Sequence, residues 1–140
     1  MIEQEDYFGP NHKYIIELTS KDFDTNKVWK IKPRKNYKTQ TVARPVCGLV
    51  LFYAPYCIHC KAVKDEWIRA ASMAGFCDFY AFNCIKNSAH ADKIKSDLPE
   101  LITGYPSIII YRNGEPSEIF SGNRVASDFV LSCTNSCKNS

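Results

Sequence analysis

Two cysteines stand two residues apart in "FYAPYCIHCKAV", residues 52 to 63. A Cys-x-x-Cys pair can do three kinds of chemistry: exchange disulfides as a redox pair, supply half the ligands of a metal site, or close as a permanent staple. The choice depends on how differently the two sulfurs are placed. Exchange needs one exposed thiolate to attack and one shielded thiol to resolve the mixed disulfide. A tetrahedral zinc site needs two further ligands. Outside this motif, the one other close pair is Cys133 and Cys137, and no histidine cluster accompanies it.

The flanking sequence predicts that asymmetry. "GLVLFYA", residues 48 to 54, is a continuous apolar run and reads as a buried strand. From residue 57 the period changes. Cys60, Val63, Trp67, Ala70 and Ala74 recur at three- and four-residue steps, one face of a helix, and Gly75 is a natural stop. Cys60 begins the apolar stripe and should face the sheet. Cys57 should sit at the helix tip, where backbone N–H groups and the helix dipole favour a thiolate. His59 adds a nearby positive charge when protonated.

The remaining elements supply a frame. "YIIEL" (14 to 18) reads as a first strand, and "TSKD" (19 to 22) as a capping box opening a short helix. "FCDFYAFNC" (76 to 84) reads as a strand, and Ser88 as the cap of a helix running towards Leu98. "SIIIY" and "SEIFSG" pair across an Asn113-Gly114 hairpin turn, and Val125, Phe129 and Cys133 mark a last helix. The order β, α, β, α, β, α, β, β, α predicts an α/β domain over 1–140, a central mixed sheet with helices on both faces. Residues 27 to 45 hold seven basic residues and no acid, lack clear periodicity, and read as an insertion or long loop. Trp29 and Tyr37 in it offer stacking faces, so a nucleic-acid or other partner surface stands beside the simpler reading of a solvated loop.

"FYAPYCIHCKA" resembles the active-site segment of the thioredoxin superfamily, especially its protein disulfide isomerase branch. The resemblance covers roughly residues 13 to 132 apart from the basic insertion. It implies a thioredoxin fold with Cys57 attacking and Cys60 resolving, acting on thiols and disulfides of proteins, with an isomerase-type poise and an unknown recycling reductase or oxidase. "GYPS", 104 to 107, resembles the segment carrying the family's cis-proline. Pro106 and Tyr105 would then lie beside the cysteines, and with Tyr56 and Ile58 form the contact surface for substrate. "GNR" resembles the family's glycine–x–arginine, so Arg124 is expected to favour the Cys60 thiolate. "FNC" resembles the third-strand ending, with Cys84 at a position commonly occupied by cysteine. No metal or organic cofactor is implied.

Four departures qualify the resemblance. Tyr56 replaces the usual Trp, Ile58 the usual Gly, and Asp65 a helix-kinking proline. Leu51 stands where the family has a buried carboxylate that accepts a proton near the second cysteine. Leucine can neither transfer a proton nor hydrogen-bond. An alternative function therefore stands beside catalysis: a thioredoxin-fold binding module with little or no turnover.

The 140-residue chain carries a formal charge of +3, and without residues 27 to 45 it would be net acidic, so the positive field is local. Its N-terminal "MIEQEDYFGP" does not read as a secretory signal, its C-terminus does not read as an ER-retention tail, and no apolar run is long enough for a membrane helix. The expected setting is cytoplasmic or otherwise non-secretory. Cys47, Cys77 and Cys84 read as small apolar residues in or beside strands. Cys133 and Cys137, four apart, suit a mutual disulfide only if the helix end frays. His12 and His90 have no evident partner.

Overall fold

The computed structural model describes residues 8, 13–24, 28–35, 42–75 and 77–138. His12, Tyr37 and Phe76 lie outside them, as do residues 27 and 36–41 of the basic segment.

In chain order the elements are β1 (Ile15–Leu18), a 3-10 turn (Ser20–Asp22), β2 (Phe23–Asp24), β3 (Lys30–Ile31), β4 (Gly48–Tyr53), α1 (Ile58–Met73), β5 (Asp78–Asn83), α2 (Ser88–Asp97), β6 (Ser107–Arg112), β7 (Glu115–Ile119) and α3 (Ala126–Cys137). Five strands make one sheet in the order β1-β5-β4-β6-β7. The β1–β5 and β5–β4 pairs are parallel; β4–β6 and β6–β7 are antiparallel. This is the mixed sheet expected. All six residues of β4 and of β5 are buried, as a strand covered on both faces requires.

The sheet separates two apolar layers. On one side, Leu49, Leu51 and Tyr53 of β4 meet Cys60, Val63 and Trp67 of α1 and Phe129 and Cys133 of α3. Trp67 sits edge-on to both Phe79 and Phe129, with ring centroids 5.0 and 4.9 Å apart. On the other side, Val50 and Phe52 meet Ala91 and Ile94 of α2. The helical stripe read from the sequence is buried, and Ala71 joins it.

The capping box forms: the Thr19 hydroxyl accepts from the Lys21 N–H and Asp22 accepts from the Thr19 N–H at 2.7 Å. It opens only a three-residue 3-10 turn, because Phe23 is already extended and starts β2. Asn87, not Ser88, occupies the cap position of α2, and Ser88 is its first helical residue. At the β6–β7 turn, Asn113 and Gly114 take φ of 55° and 80°, the left-handed pair of a tight hairpin.

Part of the basic segment packs inward. β3 pairs with β2, the Ile31 N–H donates to the Gly114 carbonyl (2.8 Å), and Trp29 is fully buried with its indole N–H donating to Asp97 (2.8 Å). Apolar Trp29 and Ile31 anchor it, while charged Lys32 and Lys35 stay exposed. The His90 ring stands edge-on to Trp29.

The cysteine reading needs correction. Cys47 bonds to Cys137 and Cys77 to Cys133, with Cα–Cα distances of 5.8 and 6.0 Å. Cys47 and Cys77 are therefore not merely small apolar residues, and Cys133 and Cys137 do not bond each other. The reason is register. Gly48 pairs with Asp78, so the residues just before β4 and β5 stand side by side. Cys133 and Cys137 project one turn apart from the face of α3 that covers those strand starts. Among the described residues, Cys57, Cys60 and Cys84 take no part in a disulfide. No helix among them is long and apolar enough to cross a membrane.

Candidate active site

β4 delivers the chain to the tip of α1. Cys57 takes the cap position in an extended conformation (φ −75°, ψ 128°), and its carbonyl accepts from the Lys61 N–H (3.0 Å). No side chain caps this helix. Its first N–H groups are thus available to the Cys57 sulfur, which is partly exposed. The Cys57 thiol is held below its ordinary pKa, chiefly by the backbone N–H of Cys60, with help from the backbone N–H of His59, the Cys60 thiol and the Arg124 charge.

Cys60 is the opposite case. It is fully buried, and the Ala54 N–H points at its sulfur at 3.4 Å. Burial pushes its pKa up to about 12, and the neighbouring Cys57 charge adds to this. Between them the two thiols can share one proton: Cys60 donates, Cys57 accepts.

The second wall of the site is the turn before β6. The Tyr105–Pro106 peptide is cis. The Cys57 thiol lies 3.7 Å from the Tyr105 carbonyl oxygen. Pro106 is buried, and with Ile119, Phe120 and Arg124 it lines a groove. Tyr56 and Ile58 flank Cys57 and are 65% and 74% exposed.

Most of the residues read as site residues from the sequence therefore converge. Cys57, Cys60, Tyr105, Pro106 and Arg124 come together from three separate segments, with Tyr56 and Ile58 at the rim. Arg124 is exposed, and its charge is among the influences that lower the Cys57 pKa. His59 reaches Cys57 through its backbone N–H, with its side chain exposed.

Leu51 is fully buried in the same apolar layer as Cys60, between Ala81 and Ile108 across the sheet. The carboxylate position is thus filled with hydrocarbon. Two residues on, Tyr53 donates its hydroxyl to Glu17 at 2.9 Å, a pairing that sequence spacing did not suggest. Cys84 is buried, its pKa raised to about 11 by that burial, and it shares a side-chain hydrogen bond with Tyr105. Among the described residues, no three His, Cys, Asp or Glu side chains gather as metal ligands.

Comparison with known proteins agrees with this geometry. The family model named Thioredoxin matches residues 28–134. Protein disulfide-isomerase A3 of Gallus gallus is 30% identical over 117 residues, which is 83% of this chain and 19% of that protein. Protein disulfide-isomerase A6 of Homo sapiens is 31% identical over 128 residues, 84% of this chain and 23% of that protein. The chain thus spans about a fifth of the length of these relatives. Among solved structures, human ERp44 form II superposes with a TM-score of 0.62 at 17% identity, covering 86% of this chain and 29% of that one. The J-Trx1 fragment of ERdj5 does so with 0.60 at 24% identity, covering 87% and 51%. Fold, cis-proline turn, helix-tip cysteines and sequence match lead to one conclusion: this chain belongs to the thioredoxin family, with relatives among the protein disulfide isomerases.

Proposed function

We propose that Cys57 and Cys60 form a redox pair that exchanges disulfides with protein substrates. The observation that carries this reading is the opposed placement of the two thiols: Cys57 open and favoured as thiolate, Cys60 sealed and held protonated. In the reducing direction the Cys57 thiolate attacks one sulfur of a substrate disulfide. A mixed disulfide forms, and the other substrate sulfur leaves as a thiolate that takes up a proton. Cys60 then loses its proton and attacks the Cys57 sulfur. The second substrate thiolate departs, and the two electrons given to the substrate leave a Cys57–Cys60 disulfide. In the oxidising direction every step reverses, and the partner that recycles the pair sets the net direction. The isomerase-like relatives and the Ile58-His59 dipeptide support a moderately oxidising poise.

Tyr105 and Pro106 would receive an extended substrate segment beside Cys57, with Tyr56 and Ile58 supplying apolar contact. Arg124 and the His59 backbone would tune Cys57. A Cys60→Ser variant tests the reading. It should accumulate mixed disulfides through Cys57 that dithiothreitol releases, while a Cys57→Ser variant should trap none.

The second reading, a binding module with little turnover, is favoured by one observation: Leu51 offers no proton acceptor under Cys60. Insulin reduction in the presence of dithiothreitol separates the two. Turnover above the uncatalysed rate, lost in Cys57→Ser, supports catalysis; substrate capture without turnover supports the module.

The Cys47–Cys137 and Cys77–Cys133 bonds favour maturation in an oxidising compartment over the non-secretory setting expected from the termini. Acid quenching of the protein in its native cell, followed by alkylation and peptide mapping, would find these four cysteines blocked. Finding all four free would support the non-secretory setting.

A further inference from the structure

Glu66 lies on α1, on the helix that carries the cysteine pair, but well beyond them. Its Oε1 accepts the N–H of Ala126 at 2.7 Å, and its other oxygen pairs with Arg69. Ala126 is the first residue of α3. The residue at the cap position of α3 is Val125, whose side chain has no oxygen to offer, and no side-chain cap of its own is present. Glu66 therefore caps α3 from a different helix, and its charge sits where the dipole of α3 favours an anion. The loop just before α3 is tied a second time, by the Asn123 N–H donating to Asp128 at 2.9 Å. Arg124 stands between those two anchors and lines the groove at Pro106.

The geometry points to Glu66 as a positioning residue of the redox site: by capping α3 across the helix interface, it holds Arg124 in the groove at Pro106, next to Tyr105, whose carbonyl meets the Cys57 thiol. The argument rests on the reading of Cys57 as the attacking thiol. Arg124 itself is exposed, so its long side chain is not held by packing, and its placement depends on where its backbone is fixed. Two signs separate positioning from simple charge. Removing the negative charge of Glu66 would by itself favour a nearby thiolate and lower the Cys57 pKa. Releasing Arg124 would raise it. The groups facing Cys57 in this balance are Cys60, the Arg124 guanidinium and the Tyr105 carbonyl.

The experiment is the pH dependence of Cys57 alkylation, read by peptide mass spectrometry on protein whose Cys57–Cys60 pair has been selectively reduced. Turnover is not needed, so failure of the oxidoreductase reading in the insulin assay is a separate result. Glu66→Ala should raise the Cys57 pKa by about half a unit, the size of one unit charge moved away through a water-like medium. Glu66→Gln keeps the acceptor for Ala126 and removes only the charge, so it should not raise the value. Glu66→Asp keeps the charge but is one methylene too short, and should raise it as Ala does; this variant carries the test if Glu66→Ala does not fold. Arg124→Ala should raise it too, and adding Glu66→Ala to Arg124→Ala should add nothing further. A fall or no change in Glu66→Ala or Glu66→Asp, an equal rise in Glu66→Gln, or additive shifts in the double variant would overturn the assignment.

Discussion

The Cys57 thiol lies 3.7 Å from the carbonyl oxygen of Tyr105, across 48 residues of sequence. That contact joins the helix tip to the turn before β6. It is also where a substrate sulfur and a substrate backbone would have to arrive together.

Reactivity should follow the two thiols' placement. In the mildly reduced protein Cys57 should alkylate first, at a pH below that of a free thiol, because backbone N–H groups and Arg124 favour its thiolate. Cys60, pushed up to about 12 and buried, should stay unmodified through neutral and mildly basic pH, as should buried Cys84. Faster labelling of Cys84 than of Cys57 would remove the basis for the site.

The poise of the pair should respond to the backbone at residue 59. Proline is tolerated in a first helical turn but has no N–H. His59→Pro removes a donor that favours the Cys57 thiolate, so the disulfide should become more stable and the pair more reducing, on the order of 30 mV for one lost charge-assisted bond. His59→Ala keeps that N–H and should shift the potential much less. Equilibration of both variants against glutathione checks this, and equal shifts would assign the effect to the imidazole instead.

Leu51→Glu would put a carboxyl beneath Cys60. Resolution of mixed disulfides should accelerate near neutral pH, as followed by stopped-flow. The cost is an unpaired buried carboxyl, on the order of a few kcal/mol. Its sign with pH is fixed. Burial raises the folded pKa above the unfolded value, so the loss grows as pH rises from the unfolded value through the folded one and is smallest in acid. Thermal melts across pH test that slope, and a folded variant with unaltered resolution would mean that proton acceptance at residue 51 is not limiting.

The two disulfides close long loops, with separations of 90 and 56 residues. Replacing Cys77 and Cys133 together by Ala should lower stability by about 2–5 kcal/mol. The Cys57 alkylation profile should hardly move, since both bonds lie at the end of the sheet where β4 and β5 begin and the redox pair lies where β4 ends. Denaturant titration beside alkylation measures both.

Trp29→Ala should be costly for a residue in a segment so rich in charge. It removes a fully buried indole and its bond to Asp97, and a loss of about 3–5 kcal/mol in chemical denaturation is expected. A loss below 1 kcal/mol would mean that the segment is not anchored there.

What the sequence determined by itself was local. The apolar run of β4, the three- and four-residue stripe of α1 and the Asn113-Gly114 turn are periodicities and backbone preferences, set by neighbours along the chain. They sufficed to put Cys57 at a helix tip and Cys60 under it, and hence to predict the asymmetry of the pair. The tertiary structure decided what depends on register between distant segments. Cys47 and Cys77 stand together only because Gly48 pairs with Asp78, and α3 brings Cys137 and Cys133 over them. Trp29 is buried because Phe23, Tyr111 and the two ends of α2, at His90 and Asp97, close around it, which no charge count could reveal. Burial and distance are properties of packed surfaces, and those surfaces exist only once the sheet is assembled.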